Sequence, residues 1–129
     1  MVDIKQEVSF QRIADIMTTA MECNDMTASW CTKAERTQFT AELDSGEGPW
    51  YSKLETYADP MFKATFTVDY GDGDSSRQYE LTAASVAIGL QLMADKQPRH
   101  FADFMNEGED AITADVFLQC CLLQMVIFG

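Results

Sequence analysis

The stretch KATFTVDYGDGDSSRQYEL, residues 63–81, decides the fold. Its first eight residues are rich in aromatic and β-branched side chains, and the six that follow are Gly, Asp and Ser. Branched and aromatic residues favour strands, whereas Gly and Asp favour turns, so this order predicts a β-hairpin with a polar turn. One face of the hairpin would be apolar, formed by Phe62, Ala64, Phe66 and Val68 and, on the returning strand, by Tyr79 and Leu81.

Helical patterns lie on both sides of the hairpin. Apolar residues recur at helical spacing from Ser9 to Cys23, which predicts an amphipathic helix. Thr82 can cap a second helix, which Pro98 ends because proline cannot continue a helix. A short third helix rich in Phe follows, and a last helix begins at Asp110 or Thr113.

Periodicity is poor in the segment between Asn24 and Pro60. Short strands are predicted there at Trp30–Cys31, Phe39–Leu43 and Trp50–Tyr51, with the breaker DSGEGP at residues 44–49. Taken together, the patterns predict an α+β fold with an N-terminal helix, a small antiparallel sheet that contains a β-hairpin, and three C-terminal helices. A length of 129 residues is typical of one domain, so residues 1–129 are expected to form a single domain.

The last predicted helix is apolar on nearly every side. Its apolar positions are Val116, Phe117, Leu118, Cys120, Cys121, Leu122, Leu123, Met125 and Val126. Each exposed side chain of this kind would forfeit roughly 1.5–3 kcal/mol of burial, so the helix must be enclosed. It is either a central core helix wrapped by the hairpin and the first helix, or part of a homo-oligomer interface.

The charge balance of the chain is strongly acidic. Twenty-one Asp and Glu residues face nine Lys and Arg residues, which gives a formal net charge of −12. Such a negative field repels nucleic acid phosphates and anionic membranes, so direct binding to nucleic acid or membrane is not expected. A partner protein with a basic surface is favoured, because long-range attraction raises its rate of association.

The acidic residues fall into clusters along the chain. Eight of them are predicted to bind the partner: Asp44, Glu47, Asp69, Asp72, Asp74, Glu107, Glu109 and Asp110. Each cluster alone is typical of a solvated loop or a helix cap. The functional hypothesis requires that the clusters converge on one face of the fold.

Known metal-binding patterns do not fit the chain. Asp69 and Glu80 have the spacing of the first and last ligands of an EF-hand loop, but glycine occupies the third and fifth positions and Asp74 the sixth. Four cysteines (Cys23, Cys31, Cys120 and Cys121) and a single histidine offer too few plausible ligands for zinc. We therefore predict no metal and no cofactor.

Signals for catalysis and for export are equally weak. His100 lies just after Pro98 in a segment rich in Phe, where packing is a commoner role than catalysis, so we predict a protein that is not an enzyme. The N-terminal MVDIKQEVSF lacks the basic and apolar regions of a signal peptide. The longest apolar run, residues 116–128, is shorter than the ~20 residues of a membrane-spanning helix. We expect a location in the host cell cytosol, with reduced cysteines.

Several stretches of the chain resemble a family of small acidic proteins encoded by bacteriophages, prophages and other mobile elements. The stretches are Trp30-Cys31, the YELT of residues 79–82, the GLQL of residues 89–92, DVFLQCC at residues 115–121 and VIFG at residues 126–129. The resemblance covers most of the chain and is weakest between Lys33 and Pro60. This sequence departs from the family pattern at residues 123–125, where LQM replaces a turn that contains Gly and Glu. The resemblance implies a fold and a viral or mobile-element origin, and it implies no catalytic residues.

These observations lead to one functional hypothesis and two alternatives. The first is a phage or mobile-element protein that inhibits a host defence protein by presenting carboxylates where nucleic acid phosphates would bind. The second is an oligomeric sponge that sequesters a small signalling nucleotide by aromatic stacking and a few basic residues, and the third is a phage structural or assembly protein. Trp30 and Trp50 fit either exposed interface anchors or ordinary core residues.

Overall fold

A computed structural model describes residues 8–23, 25–44, 47–70, 76–108 and 110–128. Its helices are α1 (Phe10–Glu22), α2 (Asp25–Trp30), α3 (Leu54–Ala58), α4 (Ala83–Lys96), α5 (Pro98–Met105) and α6 (Ala111–Leu123). Its strands are β1 (Cys31–Gln38), β2 (Lys63–Asp69) and β3 (Ser76–Thr82), which form one antiparallel sheet in the order β1-β2-β3. The predicted α+β fold, with an N-terminal helix and C-terminal helices around an antiparallel sheet, is therefore confirmed.

The hairpin that decides the fold forms as the alternation of its side chains predicts. β2 pairs with β3 in a regular antiparallel register that runs from Lys63 opposite Thr82 to Asp69 opposite Ser76. Alternate side chains of the two strands point into the core and are fully buried: Ala64, Phe66, Val68 and Leu81. The opposite face of the sheet is polar and lies in solvent. The predicted turn falls on residues 71–75, outside the described residues.

Short polar side chains cap three helices: Thr82, as predicted, and also Ser9 and Asp110, which the sequence analysis placed at helix starts without assigning them as caps. The hydroxyls of Ser9 and Thr82 accept hydrogen bonds from backbone N–H groups in the first turns of α1 and α4. Asp110 does the same for α6 by accepting from the N–H of Thr113 at 2.9 Å. Each cap satisfies one of the donors that a helix start leaves without a partner. The local sequence thus sets where these helices begin.

The segment between residues 24 and 60 differs from its prediction. The strand predictions at Phe39–Leu43 and Trp50–Tyr51 are wrong, because residues Ala41–Leu43 and Trp50–Ser52 form single 3-10 turns. Trp30 ends helix α2, and the strand begins after it at Cys31. The short helix α3 then leads into β2.

Helix α6 runs through the centre of the protein. Every residue from Thr113 to Leu122 is buried, and α6 packs against α1, α4 and β3. The two longest C-terminal helices approach so closely that a Cβ on Gly89 of α4 would lie 2.7 Å from the Cα of Cys121. One chain therefore encloses this helix, as the core-helix interpretation expects. No described helix has the length and apolar character to cross a membrane.

Candidate protein interface

The eight carboxylates predicted to bind a partner lie in different parts of the fold. Asp72, Asp74 and Glu109 are outside the described residues. The other five are Asp44 and Glu47 in the loop after β1, Asp69 at the end of β2, and Glu107 and Asp110 between α5 and α6. Their positions decide which of them can act together.

Asp44 lies between two cations. Its Oδ1 atom is 3.2 Å from the guanidinium of Arg36 and 3.5 Å from the Nζ of Lys53. Desolvation raises the pKa of Asp44, but the hydrogen bond from Arg36 and the two positive charges outweigh it, so the net pKa of this carboxyl is lowered. The charge of Asp44 is therefore already balanced by Arg36 and Lys53 of its own chain, and it adds little to an anionic surface.

Asp69 and Asp44 lie at opposite ends of β2. Arg36, which binds Asp44, pairs with Ala64 at the start of β2, whereas Asp69 ends that strand. About five residues of extended strand, roughly 17 Å, separate the two positions. The structure does not bring these two predicted residues together.

The connection between α5 and α6 carries the third group of carboxylates. Glu107 is exposed and has a left-handed backbone with φ of 58°. Asp110 is also exposed, and the N–H of Thr113, with a smaller opposing effect of desolvation, lowers the pKa of its carboxyl. His100 bonds through Nδ1 to the Thr113 hydroxyl at 2.9 Å, which joins α5 to the start of α6. These residues shape a helix start.

The solvent face of the sheet carries charges of both signs. Lys33 lies 3.5 Å from Glu35 on β1, and Lys63 of β2 lies 3.7 Å from Glu80 of β3. Exposed pairs of this kind add little stability, but they cancel each other's field at short range. The sheet face is therefore not an anionic surface.

A shallow depression lies where the loop after β1 meets the segment before β2. It is lined by Arg36, Thr40, Leu43, Asp44, Lys53, Glu55, Thr56 and Asp59, and the space inside it that a water molecule can reach is about 10 Å³. Pockets that bury a drug-sized ligand usually enclose roughly 300–1,000 Å³. The shape of the depression suits contact with a protein surface better than capture of a small molecule.

The floor of the depression is rigid because Asp59 ties its two sides together. This carboxylate is only 2% exposed and accepts bonds from the Thr40 hydroxyl at 2.8 Å and the Met61 N–H at 2.9 Å. Desolvation raises the pKa of Asp59, but the bonds from Thr40 and Met61 and the charge of Arg36 outweigh it and lower the pKa overall. Asp59 thereby fixes the backbone on which the neighbouring side chains stand.

Four large apolar side chains are exposed around this floor, and we call them the apolar rim. They are Phe39, Leu43, Leu54 and Met61, with exposed fractions between 39% and 60%. Leu43 lines the depression, while the other three are sequence neighbours or hydrogen-bonded neighbours of residues that line it. The guanidinium of Arg36 lies 3.9 Å from the centre of the Phe39 ring and holds that ring on the surface. An apolar group presented this way is typical of a protein contact.

Carboxylates surround the apolar rim. Glu42 and Glu47 are exposed, and Glu55 is half-buried at the edge of the depression. Within the described residues none of these three forms an ion pair. Of the eight predicted residues, Asp44 lines the depression and Glu47 lies three positions after it in the sequence, whereas Asp69, Glu107 and Asp110 lie on other elements.

The apolar rim was missed by the sequence analysis. Its four residues lie among polar residues without helical or strand periodicity, so no pattern marked them as exposed. The one available signal was the poor periodicity of residues 24–60 together with several large apolar side chains. In a segment without periodicity, the order of residues does not show which large apolar side chains are buried and which lie in solvent.

The described residues also bear on chemical reactivity. Burial raises the pKa of Cys120 to about 11 and that of Cys121 well above the ordinary thiol value, so neither is a thiolate at neutral pH. Within the described ranges, no group of three or more His, Cys, Asp or Glu residues is placed to hold a metal ion.

The chain matches neither a protein-family model nor a curated protein nor a solved structure.

Proposed function

We propose that this chain is a non-enzymatic binding protein that docks on a partner protein with a basic surface through the apolar rim and its surrounding carboxylates. One observation carries the proposal: four large apolar side chains remain exposed around a single, internally paired charged floor. Exposure of this kind costs burial that folding would otherwise gain, so a partner that covers the rim explains it.

The chemistry of the rim supports contact with a protein. Central apolar side chains that exclude water, surrounded by polar groups, are the usual anatomy of a specific interface. Phe39, Leu43, Leu54 and Met61 supply the centre. Because Asp59 holds the backbone at Thr40 and Met61, the entropy lost on binding is mainly that of ordering the rim side chains.

The charge supports a basic partner. Glu42, Glu47 and Glu55 lie close in sequence to residues of the rim and form no ion pair with any cation among the described residues, and the whole chain carries −12. A basic surface would be steered towards this field, and the affinity would fall as salt screens it. Rim carboxylates of this kind contribute mostly to association rate and specificity.

The more specific role stays a prediction. In that role the chain comes from a phage or mobile element, acts inside the host cell and blocks a host defence protein whose surface normally binds nucleic acid. The carboxylates near the rim support an acidic contact on such a surface. Asp69, Glu107 and Asp110 lie on other elements, so the convergence of all the clusters on one face that the sequence hypothesis required is not met, and the role proposed here uses only the carboxylates near the rim.

The test compares matched surface variants in quantitative affinity capture from an extract of the natural host cell. Leu43→Ser combined with Met61→Ser removes apolar contact from the rim, and Ile88→Ser on the exposed face of α4 is the control, since Ile88 is similarly exposed. A basic protein captured by wild type and by the control is expected to bind the rim variant about tenfold or more weakly. Its capture should also fall between ~50 and ~300 mM salt.

Two results would contradict the proposal. In one, the rim variant retains its partner while Ile88→Ser loses it, which would place the contact on α4. In the other, the captured partner is bound equally at low and high salt, which removes the electrostatic part of the argument.

A further inference from the structure

A buried polar cluster links helix α6 to α2. The carboxylate of Asp115 is 2% exposed and accepts hydrogen bonds from the indole Nε1 of Trp30 at 2.7 Å and from the hydroxyl of Thr27 at 3.0 Å. Its other oxygen accepts from the amide Nε2 of Gln119 at 2.7 Å. Both carboxylate oxygens are thus satisfied by neutral donors, which makes the burial of this group tolerable.

The same Gln119 holds the end of the chain. Its Oε1 atom accepts from the backbone N–H groups of Ile127 at 2.8 Å and Phe128 at 2.9 Å, and its Nε2 donates to the carbonyl of Phe128 at 2.9 Å. We call residues 124–128 the C-terminal strap. One buried side chain therefore binds the strap through three backbone contacts.

The side chain of Phe128 fills a slot between two aromatic rings. Its ring is parallel to that of Trp30, with 5.4 Å between centroids, and lies 5.7 Å from the ring of Tyr70. The hydroxyl of Tyr70 bonds to that of Tyr79 on the neighbouring strand, which fixes the second wall. The slot and Gln119 together recognise one aromatic side chain and the backbone beside it.

The closed position of the strap has two unfavourable features. Gln124, where the chain leaves α6, has φ of 59°, a left-handed conformation that a residue with a Cβ adopts at a cost. Met125, Val126 and Ile127 remain exposed, with fractions between 37% and 60%. The closed form therefore strains its hinge and leaves three consecutive apolar side chains in water.

We propose that the strap exchanges between two copies of the chain, so that Phe128 of each copy fills the Trp30–Tyr70 slot of the other. Every contact that holds the strap is preserved when it comes from a second copy, because none depends on the strap belonging to the same chain. Exchange replaces the left-handed hinge at Gln124 by an extended one. It also brings the apolar residues of two straps beside each other, so that each strap covers side chains that are exposed in the closed form.

This inference does not rest on the proposed function, and salt separates the two. Two copies that each carry −12 repel one another, so screening by salt strengthens the exchange dimer. Binding of a basic partner weakens under the same change. The exchange dimer and the binding of a basic partner therefore respond to salt in opposite directions, and one can fail without the other.

The test changes the hinge alone and measures the monomer–dimer equilibrium of the full chain by sedimentation equilibrium at high salt. Gln124→Val makes the left-handed hinge much less favourable because valine is β-branched, and Gln124→Gly removes the strain altogether. Exchange predicts a dimer dissociation constant roughly tenfold or more lower for the valine variant than for wild type, and a higher one for the glycine variant. Adding Phe128→Ala to the valine variant should abolish the dimer.

A dimer that forms by contact of closed straps gives the opposite order, with glycine at least as dimeric as valine, and overturns the inference. A chain that stays monomeric with Gln124→Val also overturns it, as does a dimer that survives Phe128→Ala. Circular dichroism confirms that each variant is folded. If the valine variant does not fold, wild type against Gln124→Gly carries the same comparison.

Discussion

Helix α6 and the apolar rim use polar and apolar side chains in opposite ways. In α6 two polar residues, Asp115 and Gln119, are buried and hydrogen-bonded, with Trp30, Thr27 and Gln119 donating to Asp115, and the apolar residues around them are covered. At the rim, Asp59 is buried while large apolar side chains such as Met61 lie in solvent. Folding alone accounts for the first region. The second leaves apolar side chains in solvent, which agrees with our proposal that a partner protein covers them.

The largest effect is expected from Asp115→Ala. The substitution leaves the Trp30 indole N–H, the Thr27 hydroxyl and one Gln119 amide hydrogen without their buried acceptor. We expect the free energy of unfolding to fall by about 3–5 kcal/mol, measured by urea denaturation. Asp95→Ala is the matched control, because Asp95 is an exposed helical aspartate whose one side-chain bond among the described residues is to Gln91, and it should cost less than about 0.5 kcal/mol. Equal losses in the two variants would show that the buried cluster adds no stability.

Gly89→Ala tests how tightly α4 and α6 pack. The new methyl group would lie 2.7 Å from Cα and 2.8 Å from N of Cys121, and backbone atoms cannot move aside unless a helix shifts. We expect a loss of about 1–3 kcal/mol in the free energy of unfolding. Gly108→Ala, whose methyl group would meet only the Asp103 carbonyl at 3.5 Å, should change it by less than about 0.5 kcal/mol.

Asp59→Asn tests the floor of the depression and has a pH signature. Because the folded pKa of Asp59 is lowered, its charge stabilises the fold above the unfolded pKa of about 4, and that contribution is lost as the pH falls through the folded pKa. The variant should be about 1–2 kcal/mol less stable at pH 7, since an amide replaces a carboxylate that accepts from Thr40 and Met61. The difference should shrink below about pH 4. Thermal unfolding of both proteins at pH 7 and pH 3 measures it, and a constant difference would contradict the assigned role.

The smallest effect on stability is expected at the rim itself. Met61 is 60% exposed, so Met61→Ser should change the free energy of unfolding by less than about 0.5 kcal/mol in either direction. Chemical denaturation of the variant checks this value. A loss above 1 kcal/mol would mean that Met61 packs within the fold, and the rim would then lose a member.

The sequence predicted the parts of the fold that are set locally. Ser9, Thr82 and Asp110 cap their helices through bonds to residues three positions away, and the hairpin follows from an alternation read within a few residues. Signals of this range are visible in the order of residues alone. The caps and the hairpin were therefore predictable.

The wrong and missing parts depend on contacts between distant residues. Asp59 fixes the loop at Thr40 from nineteen positions away, and Asp115 receives the Trp30 indole from a distance of 85 positions. Contacts between residues so far apart produce no repeating pattern in the sequence, so sequence analysis does not detect them. The 3-10 turns Ala41–Leu43 and Trp50–Ser52 and the exposed position of the rim follow from such contacts. Strands were therefore predicted at Phe39–Leu43 and Trp50–Tyr51, and the rim was not predicted at all.

The candidate site was predictable only in its charge. The acidic excess pointed to a basic partner, and two of the named carboxylates, Asp44 and Glu47, lie near the rim. The counter-charges of Arg36 and Lys53 at Asp44 could not be read from the sequence, because they require the fold to bring β1 and the segment before α3 together. Charge alone therefore predicted the kind of partner, and which carboxylates bind it stays a prediction.

Backbone hydrogen exchange with and without the captured partner tests the central claim most directly. The account predicts that binding slows exchange in residues 39–61, around the apolar rim, while the amides of α4 keep their rates. Protection confined to α4, to the α5–α6 connection or to the C-terminal strap, with residues 39–61 unchanged, would contradict it.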